Sequence, residues 1–196
     1  TNPVQQAIAD GCDVITISWA GSEYAASYYE PLWAQCAAAG VTVVAASGDW
    51  GSILVGQPNL SVCYPSASSQ VISIGGTHLG IINGSDLRAV ETDDNRNVNF
   101  GSSWGGGGGI SDLISLPSWQ QNLYYTPIVN NVVGSPTPLL RRGIPDVAAP
   151  MNTYSMYYGG SIAGVGGTSA SSPVWAGIIA RMKQQTGVRR SSSAYN

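Results

Sequence analysis

A strand–helix–strand pattern near the amino terminus restricts the fold more than any other feature. Residues 13–19 and 41–46 are mostly apolar runs rich in β-branched residues, and residues 23–39 between them have helical spacing. Two strands joined by a whole helix run parallel with a right-handed crossover, and a parallel sheet is covered on both faces. The pattern therefore predicts an α/β protein with a mostly parallel central sheet.

The rest of the chain adds elements to that sheet. A third strand at residues 71–74 is predicted to end at Gly75 and Gly76, and Gly187 is predicted to end the last helix. The other expectations are a helix ending near residue 11, a hairpin starting at 79–84, irregular structure at 85–103, a short helix from 116, a loop at 126–143, a connector at 144–150 and a hairpin at 154–165. With no internal repeat, the 196 residues are interpreted as one domain.

Composition narrows the class of protein. Only 10% of the residues are charged, the isoelectric point is about 4.8 and the chain has 25 glycines. The absence of a basic stripe argues against a nucleic-acid partner, and no apolar run has membrane-spanning length. Few charges and many small polar residues favour a secreted protein, because a surface with few carboxylates loses few ion pairs in acid.

The three cysteines, Cys12, Cys36 and Cys63, leave two interpretations. Cys12 precedes the first strand and Cys36 lies late in the helix that returns from it, so a disulfide at one edge of the sheet is one of them. Buried free thiols are the other. Because there is no Cys-x-x-Cys pair and only one histidine, no metal site is expected within this chain.

A turn of small residues, Gly-Gly-Thr-Ser-Ala-Ser-Ser-Pro at 166–173, leads into the last helix. Pro173 is predicted in its first turn. Apolar residues follow at helical spacing, namely Val174, Ile178 and Met182, flanked by Trp175 and Ile179. Ser169 would then lie at a helix amino terminus, where free N–H groups favour an anion beside its hydroxyl. Ser169 is therefore either an ordinary N-cap or a nucleophile.

A serine nucleophile needs a general base and a donor for the oxyanion. The one histidine, His78, follows Gly-Gly-Thr at a strand end, and a lone histidine is more often incidental than catalytic. Asp49 follows the second strand within Ser-Gly-Asp-Trp-Gly, at the end of a parallel sheet where sites form. An aspartate in such a turn commonly bonds its own backbone, so this segment alone assigns no function.

Six segments of the chain, taken together, indicate a function. They are 17–19 (Ile-Ser-Trp), 45–51 (Ala-Ala-Ser-Gly-Asp-Trp-Gly), 71–77 (Val-Ile-Ser-Ile-Gly-Gly-Thr), 116–120 (Leu-Pro-Ser-Trp-Gln), 145–148 (Pro-Asp-Val-Ala) and 166–170 (Gly-Gly-Thr-Ser-Ala). In this order they resemble the sedolisin family of serine-carboxyl peptidases, especially its kumamolisin-like members, over nearly the whole chain. The resemblance implies a subtilisin-like three-layer α/β fold, secretion with a propeptide, and hydrolysis of polypeptide substrates at acid pH.

The resemblance also implies a role for each site residue. Ser169 is the nucleophile, its N–H is one oxyanion donor, and Asp49 supplies the other where a subtilisin-type protease has asparagine. An ionised carboxylate would repel an oxyanion, whereas a protonated one donates its O–H, so this role implies action in acid. The implied substrate contacts are Ser18, Trp19 and Ala20 along the substrate backbone, and Ser47, Gly48, Gly106 and Gly107 around the P1 side chain.

The chain also departs from the family. The family's base is a glutamate oriented by an aspartate four residues later, and no glutamate here has an aspartate at that spacing. That helix would precede Thr1, and the family's calcium site would follow Asn196. Ala20 replaces a common glycine and Trp50 a usually small residue. We therefore expect a partial catalytic domain, incomplete at both ends, without its base and calcium site and inactive alone.

Two other functions are consistent with the same segments. A tripeptidyl exopeptidase of this family needs a blocked cleft, whereas an endopeptidase needs an open one. A catalytically inactive homologue would bind peptides without cleaving them. The retained Ser169 and Asp49 argue against the inactive homologue, and the sequence does not show whether the cleft is open or blocked. A serine-type endopeptidase is the primary prediction.

Overall fold

The computed structural model describes residues 2–51, 61–82, 86–91, 105–129, 132–152 and 154–188. The helices are α1 (Pro3–Ala9), α2 (Ala26–Ala38) and α3 (Thr168–Thr186), with 3-10 turns at Glu23–Ala25 and Ser118–Gln120. The strands are β1 (Val14–Ile17), β2 (Thr42–Ala46), β3 (Ile72–Ile82), β4 (Asp86–Glu91), β5 (Gly109–Ser115), β6 (Tyr124–Tyr125), β7 (Ile128–Val129), β8 (Val132–Val133), β9 (Thr137–Pro138), β10 (Arg141–Ile144), β11 (Val147–Pro150), β12 (Tyr154–Tyr158) and β13 (Ser161–Val165). No helix within these ranges has both the length and the apolar character needed to cross a membrane.

The central sheet is mostly parallel, as the strand–helix–strand pattern predicts. Its order is β1–β2–β3–β11, all parallel, and β4 pairs antiparallel with the second half of β3. The crossover between β1 and β2 contains α2. The strands therefore point their carboxyl ends toward one edge, where α/β proteins place their sites.

The side chains of β2 divide the core into two layers. Val43 and Ala45 pack with Leu32 and Cys36 of α2, whereas Val44 packs with Ile179 of α3 on the opposite face. Successive side chains of a strand point to opposite faces, so a strand that is apolar throughout must be covered on both. The result is the predicted arrangement of a sheet between two helical layers.

The sheet extends further than the sequence pattern indicates. β3 continues through Gly75 and Gly76, which were predicted to end it, and pairs with β4 in the region predicted to be irregular. The predicted connector contains β11. A Cβ atom at Gly75 would lie 2.6 Å from Pro145 Cγ, and one at Gly76 would overlap Met151. These glycines are therefore needed for the close approach of β11, and they do not stop the strand.

Strands also lie in a segment given no predicted element and in one predicted to be a loop. β5 begins at Gly109, the last of the five consecutive glycines at 105–109, and pairs antiparallel with β10. The segment 126–143 contributes β7, β8, β9 and the start of β10. These strands are mostly two residues long, too short for an alternating pattern to be recognised. The hairpin predicted at 154–165 is confirmed as β12 and β13.

Helix α3 differs from its prediction at one end and agrees at the other. It begins at Thr168, so Pro173 lies inside the helix and not in its first turn. Ile179 and Lys183 are buried, whereas the predicted apolar face of Val174, Ile178 and Met182 is partly exposed. The buried face of α3 is thus rotated from the predicted one. Lys183 Nζ explains this rotation, because it donates to the carbonyls of Asp13 (2.7 Å) and Gly40 (2.8 Å), which precede β1 and β2. Gly187 ends the helix in a left-handed conformation, as predicted.

The cysteines do not form the disulfide considered for Cys12 and Cys36. None of the three takes part in a disulfide; Cys12 is exposed, and Cys36 and Cys63 are buried. Burial raises the pKa of the Cys36 thiol to about 11. The second interpretation, buried free thiols, therefore holds for Cys36 and Cys63.

A buried ion pair joins β10 to the start of β11. The guanidinium of Arg142 donates from Nη1 to Asp146 Oδ1 and from Nη2 to Asp146 Oδ2, each at 2.5 Å. Asp146 Oδ2 also accepts the N–H of Ser73 in β3 at 2.7 Å. The Arg142 side chain is fully buried and that of Asp146 is 9% exposed. Each partner therefore depends on the other for charge compensation.

We predict that Arg142→Met lowers the free energy of unfolding of the complete protein by about 3–5 kcal/mol, because it leaves a buried carboxylate without its cation. Urea unfolding measures the difference. The matched control is Arg141→Met, the exposed neighbour in the same strand, for which a change of about 0.5 kcal/mol or less is expected. Equal losses in both variants would contradict the assignment.

Candidate functional site

A cleft of about 500 Å³ opens where β1 and β2 end and α3 begins. Six residues predicted for the site line it: Ser18, Trp19, Ala20, Gly48, Asp49 and Ser169. The other lining residues are Gly21, Ser22, Ala46, Trp50 and Thr168. The structure thus brings the candidate nucleophile, the candidate oxyanion donor and the candidate substrate-binding strand into one cavity.

Ser169 is the second residue of α3 and is exposed to the cleft. Its Oγ lies 3.4 Å from the carbonyl oxygen of Ser18, a weak contact that leaves the hydroxyl available. The first N–H groups of a helix have no partner within the helix. Among the described residues, none accepts the N–H of Ser169. An anion beside the hydroxyl would therefore meet an unpaired donor at the positive end of the helix.

Pro173 leaves one carbonyl at the start of α3 without its usual helix donor, and a side chain from the end of β1 replaces that donor. A residue at this position normally donates its N–H to the carbonyl of Ser169, four residues earlier, and proline has no N–H. Ser18 takes that place, since its Oγ donates to the Ser169 carbonyl at 2.9 Å. The backbone of the candidate nucleophile is thus held by a side chain from the predicted substrate-binding strand.

Asp49 is held by the residue that precedes Ser169. Asp49 Oδ1 accepts two hydrogen bonds from Thr168, one from the backbone N–H at 2.7 Å and one from Oγ1 at 2.9 Å. Thr168 is buried and Asp49 is partly exposed. The Asp49 carboxylate is therefore bonded to another element of the fold, and not to its own turn as the simpler interpretation of the sequence would have it.

Two glycines allow this contact. Gly167 has a positive φ of 87°, and a Cβ atom there would lie 2.6 Å from Asp49 Oδ2. Gly48 has a φ of 102°, and a Cβ atom there would lie 2.6 Å from Cys63 Sγ. A side chain at either position would collide with its neighbour and favour a different backbone. Glycine is therefore required at position 48, directly before Asp49, and at position 167, against the Asp49 carboxyl group.

Cys63 lies behind this turn and is not a second nucleophile. Its pKa is raised to about 12, mainly by burial and further by the negative charges of Asp49 and Glu23. The reactive form of cysteine is the thiolate. In acid and at neutral pH Cys63 is consequently a neutral, buried thiol that supports the Gly48 backbone.

Three predicted pocket residues, Ser47, Gly106 and Gly107, do not line the cleft. Ser47 is 1% exposed. Gly107 donates its N–H to the Gly48 carbonyl at 2.7 Å, and a Cβ atom on it would overlap the Ser47 carbonyl. Gly107 therefore packs against the backbone of Ser47 and Gly48, behind the wall of the cleft. The predicted contact of the three residues with a P1 side chain stays a prediction.

Among the described residues that line the cleft, the one carboxylate is Asp49, and none is a glutamate or a histidine. The strand position of His78 is described, paired with Val90, but its side chain lies outside the described part. No three His, Cys, Asp or Glu side chains in the described ranges are grouped to hold a metal ion.

Thr168 and Gly167 are site residues that the sequence argument missed. Both lie within the Gly-Gly-Thr-Ser-Ala segment that identified Ser169. The available signal was a glycine followed by a β-branched hydroxyl residue directly before the candidate nucleophile. What the sequence lacked was the contact across 119 positions that joins Thr168 to Asp49.

Comparison with known proteins places these features in a family. The sequence profile of the Subtilase family matches residues 1–189. Kumamolisin from Bacillus sp. strain MN-32 is 37% identical over 183 residues, which cover 89% of this chain and 31% of kumamolisin. The probable tripeptidyl-peptidase SED2 of Arthroderma benhamiae is 34% identical over 183 residues, covering 86% of this chain and 28% of that protein. The chain therefore spans about a third of the length of these curated relatives.

A solved structure agrees with the sequence matches. Pseudomonas sedolisin, a serine-carboxyl proteinase complexed with two molecules of pseudo-iodotyrostatin, superposes with a TM-score of 0.68 at 29% identity, covering 94% of this chain and 51% of that chain. The predicted subtilisin-like α/β fold and the resemblance to sedolisins are both confirmed. The chain belongs to the subtilase family, where it is related to the serine-carboxyl peptidases kumamolisin and sedolisin.

Proposed function

We propose that the complete protein is a secreted serine-carboxyl endopeptidase that hydrolyses peptide bonds at acid pH. The observation that carries the proposal is the contact of Asp49 with Thr168 next to Ser169. It places a carboxyl group, a serine hydroxyl and an unpaired helix N–H around one cavity. A carboxyl group can serve an oxyanion only when it is protonated, which is why acid pH is part of the proposal.

The proposed reaction begins with attack of Ser169 Oγ on the scissile carbonyl carbon. A carbon–oxygen bond forms, the Ser169 proton passes to a base, and the carbonyl electron pair moves onto oxygen. Protonated Asp49 and the N–H of Ser169 donate to that oxyanion. Collapse of the adduct expels the amine, which takes the proton from the base, and water then hydrolyses the acyl-enzyme by the same steps.

The base in this proposal is a glutamate outside the 196 residues. Among the described lining residues Asp49 is the one carboxylate, so its use as an acid leaves none of these residues to act as a carboxylate base. The sedolisin resemblance supplies the residue type. A propeptide, secretion and a calcium site elsewhere in the complete domain are further parts of the proposal that follow from the resemblance alone.

A tripeptidyl exopeptidase is the second candidate, favoured by the 34% identity to the probable tripeptidyl-peptidase SED2. The two activities differ in whether substrate can extend past the far end of the cleft. Digestion of an unfolded protein separates them, because an endopeptidase produces internal fragments of varied length and a tripeptidyl-peptidase releases tripeptides in sequence from the amino terminus. Peptide binding without cleavage would instead support an inactive homologue.

We predict that Ser169→Ala in the complete enzyme lowers kcat by about 10⁴-fold or more without lowering the melting temperature, because it removes the nucleophile alone. Hydrolysis of an unfolded protein in acid provides the measurement. Ser161→Ala, on the exposed β12–β13 hairpin, is the matched control and should retain full activity. Near-normal turnover by Ser169→Ala would rule out the proposed nucleophile.

We predict that Asp49→Asn moves the alkaline limb of the pH–rate profile to higher pH. An aspartate donates a hydrogen bond only while protonated, whereas the asparagine amide donates at every pH, so the variant keeps its donor where the wild type loses it. The profile of kcat/KM against pH for both enzymes tests this. An alkaline limb that stays in place would remove Asp49 from the oxyanion role.

A further inference from the structure

The two oxygens of Asp49 have different surroundings. Oδ1 accepts both hydrogen bonds from Thr168, and no described residue donates to Oδ2. One of the two donors is a backbone N–H, which cannot reverse its direction and become an acceptor. Oδ1 is therefore committed to accepting, whatever the protonation state of the carboxyl group.

A neutral carboxyl group has one hydroxyl oxygen and one carbonyl oxygen. Because the Thr168 N–H at 2.7 Å favours the carbonyl type at Oδ1, the proton belongs on Oδ2. The space beside Oδ2 is kept open by Gly167, where a Cβ atom would lie 2.6 Å away. The oxygen that carries the proton is thus the one with room for a further partner.

We propose that Thr168 is a positioning residue that directs the acid proton of Asp49 onto Oδ2, the oxygen that donates to the substrate oxyanion. The proposal rests on the oxyanion role of Asp49 given above. It adds that a protonated aspartate alone is insufficient, because a proton on Oδ1 would point back at Thr168 and leave the oxyanion facing an acceptor.

The hydroxyl of Thr168 is fixed from three sides. Its Oγ1 accepts the N–H of Gly48 at 3.1 Å and lies 3.1 Å from the Gly48 carbonyl as well as 2.9 Å from Asp49 Oδ1. Thr168 is 1% exposed, so water does not compete for these bonds. Cys63, whose sulfur lies against Gly48, is a neutral thiol and does not change charge in acid. Thr168 therefore holds the Asp49 side chain and the Gly48 backbone as one unit.

A double-mutant cycle in the complete enzyme tests the proposal. Thr168→Val removes the hydroxyl at nearly constant volume and is expected to lower kcat by about 10- to 100-fold while KM changes by about twofold or less. Thr168→Ser keeps the hydroxyl and is the matched control, expected near wild-type activity. Both are compared in the wild type and in the Asp49→Ala background, with melting temperatures measured throughout.

The cycle separates this proposal from the proposed function. If Thr168 acts through Asp49, Thr168→Val has no further effect on kcat once Asp49 is alanine. An equal loss in both backgrounds would overturn the positioning role and leave the oxyanion role of Asp49 intact. Full activity of Asp49→Ala itself would overturn the proposed function, and the positioning role with it.

A second measurement needs no variant, so it holds even if Thr168→Val does not fold. Neutron diffraction from the complete enzyme at its optimal acid pH, with a peptide aldehyde bound, locates the proton that X-ray data at ordinary resolution do not show. Deuterium on Asp49 Oδ2 supports the proposal. Deuterium on Oδ1, or on neither oxygen, overturns it.

Discussion

The first turn of α3 is held against the sheet by hydroxyl groups, and the whole cleft depends on that attachment. Ser171 Oγ lies 3.0 Å from two carbonyl oxygens at the end of β11, and Ser172 Oγ pairs with Thr16 Oγ1 of β1 at 3.0 Å. Thr168 bonds the turn after β2 in the same way. Small side chains bring the helix backbone close to three strand ends and satisfy their polar groups together. Ser169 consequently contacts Ser18 and lines the same cavity as Asp49, at a position set by the sheet.

This form of attachment suits the composition of the chain. Only 10% of its residues are charged, and hydroxyl and backbone groups make these contacts around the cleft, with the Asp49 carboxyl group as their one ionisable partner. Hydroxyl groups carry no charge in acid or at neutral pH, so bonds between them and the backbone do not weaken as pH falls. The ion pair of Arg142 and Asp146 is of a different type, and it lies outside the cleft lining, where β10 is followed by the start of β11. The low charge of the chain and the hydroxyl bonds at its site thus have the same effect: few of the contacts depend on an ionised group.

Much of this arrangement was predictable from the sequence, and the rest shows where local pattern fails. The parallel order of β1 and β2, the α2 crossover and the 154–165 hairpin follow from periodicity, because each is a contiguous segment of sufficient length. β11 and the extension of β3 were missed because Gly75 and Gly76 serve packing against Pro145 and Met151, a long-range contact that resembles a strand stop locally. The candidate site residues Ser169 and Asp49 were predicted from the order of the six sequence segments. The partner of Asp49 was missed because 119 positions separate it from Thr168.

Pro173 bears on the order in which the site is assembled. A helix normally holds its own backbone by local bonds, so it can form before the rest of the molecule. Here the carbonyl of the candidate nucleophile finds its donor in Ser18, 151 positions away, only after β1 and α3 have docked. A nascent or partly unfolded chain therefore carries a serine with no ordered surroundings. The surroundings of Ser169 are therefore completed only by tertiary structure, after residues far apart in the chain have come together.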